Sequence, residues 1–71
     1  MMAVSLDIHD VVSVRAVELH EARNIITIEV VTKGGTSTHH LYFGDHPDSS
    51  SRAAELFYAL GGSPENVAGG V

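Results

Sequence analysis

The residues able to do chemistry in this chain are its five histidines, His9, His20, His39, His40 and His46, together with nearby carboxylates and a serine run. His39 and His40 suggest a metal pair, yet adjacent residues on an extended chain point to opposite faces and share one ion poorly. His46 or Asp45 could join one of them if the chain folds back at Gly44, with His9 or His20 as a further ligand. That spacing matches no zinc pattern, so neither metal nor cofactor is expected. Glu29 and His40 form a second arrangement, a carboxylate and an imidazole facing each other across two strands. Acid–base or nucleophilic catalysis would also require a cleft and a third orienting group. Neither is legible, and the pair is read as a contact that holds register. Ser49-Ser50-Ser51 at a helix start resembles an anion cradle. Asp45 and Asp48 would repel a phosphate, and the lysine of a phosphate-binding loop is missing, so helix capping explains the serines better. There is no cysteine, which excludes disulfides, thiolate zinc sites and thiol nucleophiles.

The elements that position these groups follow from periodicity. From Ile25 to Phe43 two alternating runs flank Gly34-Gly35, the signal of a hairpin with a tight primed turn. With Lys33 opposite Thr36, the partners are Val31 with Thr38, Val30 with His39, Glu29 with His40, Ile28 with Leu41, Thr27 with Tyr42 and Ile26 with Phe43. One face then carries Ile26, Ile28, Val30, His39, Leu41 and Phe43. The other carries Ile25, Thr27, Glu29, Val31, Thr38, His40 and Tyr42. Upstream, Val4 to Ala16 alternates with an interruption at Asp10, which predicts a bend or bulge there. The register of this first strand has two solutions. A four-residue loop, Glu21 to Asn24, sets Leu19 opposite Ile26 and Val17 opposite Ile28. A five-residue loop sets Ala16 opposite Ile28 and Val14 opposite Val30. The shorter loop is preferred, with a bulge nearer the strand's start restoring the alternation.

After Phe43, the run Gly44 to Asp48 stops the strand, and Asp45, His46 or Asp48 is a candidate helix cap beside Pro47. From Ser49 the period becomes helical, with Ala53, Leu56, Phe57 and Leu60 on one stripe and Gly61-Gly62 as the stop. The expected fold is therefore α+β, a three-stranded antiparallel meander with room for a short fourth strand, and one C-terminal helix packed on one face. Residues 1–62 form the domain. Residues 63–71 are a flexible tail, with one helical turn begun by Ser63 and Pro64.

Seventy-one residues form a core that removes only about 60% of the unfolded chain's surface from water. A partner subunit would compensate. Nine acidic against four basic side chains give a net charge of −5, which opposes binding to phosphate backbones and favours a basic protein surface. The chain shows neither a secretion signal nor a run of membrane-spanning length, so a cytoplasmic protein without membrane contact is expected. The helix-free face is more apolar than a solvent face requires, and its residues Ile25, Thr27, Glu29, Val31, Thr38, His40 and Tyr42 are the candidate interaction surface.

The run Thr38-His39-His40-Leu41-Tyr42-Phe43-Gly44-Asp45, with Ser51-Arg52-Ala53-Ala54-Glu55-Leu56 and Ala59-Leu60-Gly61, resembles the small uncharacterised accessory proteins of phages and prophages. The resemblance covers about a third of the chain and rests on texture. It implies a single-domain viral protein of a class that includes inhibitors of host defence and host enzymes. The expected function is a non-enzymatic protein-binding module, homodimeric, of the anti-defence or anti-CRISPR kind, acting on a host or phage protein. A small histidine-dependent metal-binding protein or enzyme and a structural part of a phage assembly are the alternatives.

The face assignment is testable with two neighbouring substitutions. Leu41→Asp should abolish the cooperative thermal transition, because it places a carboxylate in a minimal core. Tyr42→Asp should leave that transition in place.

Overall fold

A computed structural model describes residues 7–68. The expected strand start at Val4 and Leu6 and the last three residues of the expected tail lie outside these. Ile25–Thr32 (β2) and Gly35–Tyr42 (β3) form the hairpin, closed by the pair Thr32 and Gly35 around a turn of Lys33 and Gly34. The pairing is therefore displaced by two residues from the expected one: Ile26 faces Leu41, Ile28 faces His39, Thr27 faces His40 and Glu29 faces Thr38. The Thr32 hydroxyl explains the shift. It accepts from the Gly34 amide at 3.2 Å and donates to the Gly35 carbonyl at 3.0 Å, fastening the turn one residue earlier. Positive φ is needed only at Gly35, at 142°. Because side chains alternate with period two, a slip of two residues leaves both faces as expected. It does dissolve the Glu29–His40 cross-strand pair.

Val11–His20 (β1) lies antiparallel to β2, and both anticipated registers occur in it. Near the loop, His20 faces Ile25 and Leu19 faces Ile26, as a four-residue connection demands. Beyond an irregularity between Ala16 and Glu18, Ala16 faces Ile28 and Val14 faces Val30, the pattern of the five-residue loop. Val17 is the extra residue that converts one register into the other. A second irregularity follows between Val11 and Ser13, next to Asp10, whose φ of 58° makes the expected bend.

The helix Ser49–Ala59 (α1) covers β1 and β2 from one side. Phe57, Ala53, Ile26, Leu19 and Ala16 form the buried core, with Ile28, Leu41, Phe43, Leu56, Leu60 and Val67 packed around it. Asp48 occupies the N-cap position, but its side chain makes no cap bond. It pairs instead with Arg52, Nε to Oδ2 at 2.7 Å. Buried Ser49 anchors the start of the helix by donating to the Phe43 carbonyl and accepting from the His46 amide, both at 3.0 Å. The helix ends in a Schellman arrangement: the Gly61 amide bonds the Tyr58 carbonyl and the Gly62 amide bonds that of Phe57. Gly61 has a φ of 82°, which a glycine adopts without strain.

The chain beyond the helix corrects the expected meander. Pro64–Asn66 form a 3-10 turn, capped by the Ser63 hydroxyl accepting from the Glu65 amide, and Val67–Ala68 (β4) pair in parallel with Leu19 and His20. The sheet is thus mixed, in the order β3-β2-β1-β4, and α1 is not the last element. Residues 63–68 are built into the fold because Gly61-Gly62 reverses the chain toward the outer edge of β1, where Val67 joins the core. The molecule is flat, 37 × 36 × 16 Å, one sheet and one helix thick.

Gly62 has a steric role besides its turn. A Cβ there would lie 2.5 Å from the ring of fully buried Phe57. Gly62→Ala should cost about 1–3 kcal/mol through overpacking, seen in thermal unfolding as a Tm lowered by roughly 4–8 °C per kcal/mol.

Candidate functional site

The helix-free face consists of Ile25, Thr27, Glu29 and Val31 on β2, with Thr36, Thr38, His40 and Tyr42 opposite them on β3. The β2 residues are half-buried between neighbouring strands, whereas the β3 residues are exposed. Arg15 and Glu18 extend the face onto β1, opposite Glu29 and Thr27. Every residue of the expected interaction surface therefore lies on this one side. Its centre is polar: Arg15 Nε donates to Glu29 Oε1 at 2.9 Å. Arg15, the partner of Glu29, is not among the candidate residues that the hairpin pattern picks out. The five-residue-loop register contained the signal, since Ala16 opposite Ile28 puts Arg15 opposite Glu29.

At one end of the face Ile25 pairs with Tyr42, while Val31 stands at the other end opposite Thr36. Tyr42 is 75% exposed, more than any other large apolar or aromatic side chain among the described residues. Beside it lies a shallow depression of about 510 Å³ lined by Ala22, Arg23, Ile25, Tyr42, Gly44 and Asp45. Its walls are held by a short polar bridge. Asn24, left-handed at φ 54°, ends the 3-10 turn Glu21–Arg23, sends its side-chain amide to the Gly44 carbonyl at 2.9 Å, and accepts from the Phe43 amide at 3.0 Å. An aromatic ring, an isoleucine and one charge of each sign around a concavity suit the seating of a protruding side chain.

The exposed valines Val11, Val12, Val14 and Val17 are all on β1, and Val14 stands opposite buried Val30 on the helix side. Val11 stands opposite Thr32, which shares a face of β2 with Val30 and Ile28, and so lies on the helix side.

The histidines are dispersed. His39 is on the helix side, its Nε2 2.9 Å from the Ser37 hydroxyl, while His40 is on the open face and His20 lies 3.8 Å from Glu18. Among the described residues no three His, Cys, Asp or Glu side chains come together as a metal would require, and no helix is long and apolar enough to cross a membrane. Comparison with family models, with curated proteins and with solved structures returns no match.

The Arg15–Glu29 contact is partly screened by solvent, with Arg15 65% exposed. A double-mutant cycle of Arg15→Ala and Glu29→Ala, read by denaturant unfolding, should give a coupling of about 0.2–1 kcal/mol. A coupling well above that range would mean the pair is shielded from water as the geometry does not show.

Proposed function

We propose that this protein is a small non-enzymatic protein-binding module whose helix-free face is the contact surface. The supporting observation is the exposed Tyr42 ring beside Ile25, at the rim of a depression flanked by Arg23 and Asp45. Aromatic anchors seated against a concavity dominate protein interfaces, and a flat sheet presents such an anchor without first having to order a loop. The net charge of −5 favours a partner with a basic surface, and disfavours nucleic acid itself. A phage-encoded inhibitor of a host defence system or host enzyme, acting in the host cytoplasm, is the specific form of this reading. It is supported by the acidic balance and by the resemblance of the strand-to-helix run to phage and prophage accessory proteins.

The experiment places a photo-crosslinking amino acid at position 42 and, in a separate variant, at Tyr58 on the exposed side of α1, in protein produced in a bacterial host. Position 42 should give a discrete adduct with one other protein, weakened by Ile25→Asp, and position 58 should not. Identical adduct patterns from the two positions, or none from position 42, would remove this face as the contact surface.

A further inference from the structure

The two edges of the sheet are treated very differently. The outer edge of β1 is interrupted by irregularities on either side of Ser13–Ala16, closed at Leu19 and His20 by β4, and occupied at Ala16, whose amide donates to the Leu60 carbonyl at 3.0 Å. Bulges and covering segments are how proteins blunt a strand edge. Among the described residues, β3 carries none of these devices. It pairs regularly with β2 along all eight residues, contains no bulge, Pro, Lys or acidic residue, and is last in the sheet order. Because α1 packs over β1 and β2, it leaves this edge accessible.

The direction of the free main-chain groups follows from the ladder. The Phe43 amide bonds the Asn24 carbonyl, so odd-numbered residues of this strand face β2. By alternation, Thr36, Thr38, His40 and Tyr42 turn their N–H and C=O groups outward. We propose that β3 pairs antiparallel with β3 of a second copy of this chain, about a two-fold axis through His39, giving a continuous eight-stranded sheet. This goes beyond the binding role of the open face and does not depend on it.

Three observations select that occupant and register. A pairing centred on His39 sets Thr36 against Tyr42 of the second copy and Thr38 against its His40, so all four outward residues are used and about eight main-chain hydrogen bonds form. Centring on Thr38 or His40 leaves outward residues unmatched. Charge agrees: between Val30 and Gly44 the sole formally charged residue is Lys33, while all nine acidic residues lie outside this stretch. Two acidic chains therefore approach each other here with least repulsion. The same register brings Lys33, at one end of the seam, toward Asp45 of the second copy, where its chain leaves the strand. The association also supplies burial that a domain of this size lacks.

The chain has no cysteine, so single cysteines can report the register. Residues facing each other at the axis in a non-hydrogen-bonded pair have Cα atoms about 4.5 Å apart, within disulfide reach. His39→Cys should form a covalent dimer rapidly on mild oxidation. Ser37→Cys should not, because it lies opposite Leu41 of the second copy and roughly 13 Å along the strand from its counterpart. Sedimentation should give twice the 7.5 kDa chain mass for the unmodified protein. Thr38→Pro should restore the single-chain mass with an unchanged far-UV spectrum, because the lost amide is an outward one and the β2–β3 ladder is untouched. A single-chain mass for the unmodified protein at every concentration would overturn the proposal. So would equal crosslinking by Ser37→Cys and His39→Cys, or a folded Thr38→Pro protein that keeps the doubled mass. A failure here leaves the position-42 adduct with another protein unaffected, and loss of that adduct leaves the self-crosslink in place.

Discussion

The hydrogen bond from the Ala16 amide to the Leu60 carbonyl joins the end of the helix to the bulged part of β1, and much of the architecture depends on it. The bulge at Val17 shifts the register so that Ala16 and Leu19 both face the core. The Schellman turn at Gly61-Gly62 uses the Phe57 and Tyr58 carbonyls and leaves that of Leu60 for the strand. Phe57 is thereby held over Ile26 and Leu19 and beneath Gly62, where a side chain would collide with its ring. The same reversal directs the chain into β4. One helix terminus therefore sets the core and closes one edge of the sheet, while the opposite edge, β3, has no further strand among the described residues.

A single helix cannot cover a four-stranded sheet. It covers the half near the β1–β2 loop, where the core cluster is continuous, and leaves Val14 half-exposed opposite Val30. Polar contacts do the remaining positioning. Ser49 ties the helix start to the end of β3, Asn24 ties the first loop to the second, and Arg15 with Glu29 spans the uncovered face. The bonds of Ser49 and Asn24 brace the Tyr42 end of that face.

The open face and the β3 edge meet at Tyr42, the last outward-facing residue of the strand and the more exposed of the two tyrosines. Pairing two copies along β3 would place both open faces on the same side of one sheet, with the two tyrosines roughly 20 Å apart along the strand direction. A single partner carrying two basic sites, or two partners side by side, would then gain from both contacts at once.

Local patterns determined the parts of this protein that depend on period and on backbone chemistry. The two faces of the hairpin, the helical stripe of Ala53 and Phe57, the bend at Asp10 and the diglycine stop are all legible because alternation, 3.6-residue spacing and positive-φ requirements are properties of neighbouring residues. Tertiary structure alone decided the partners. The Thr32 hydroxyl selected the turn, and with it which residues stand opposite Glu29 and His40. Val17 reconciled two registers of which the sequence favoured the four-residue loop, and Val67 found its place through the helix end rather than through its own short surroundings. Such choices depend on groups far apart in the chain competing for the same amides, carbonyls and core volume, and no local period records which of them wins.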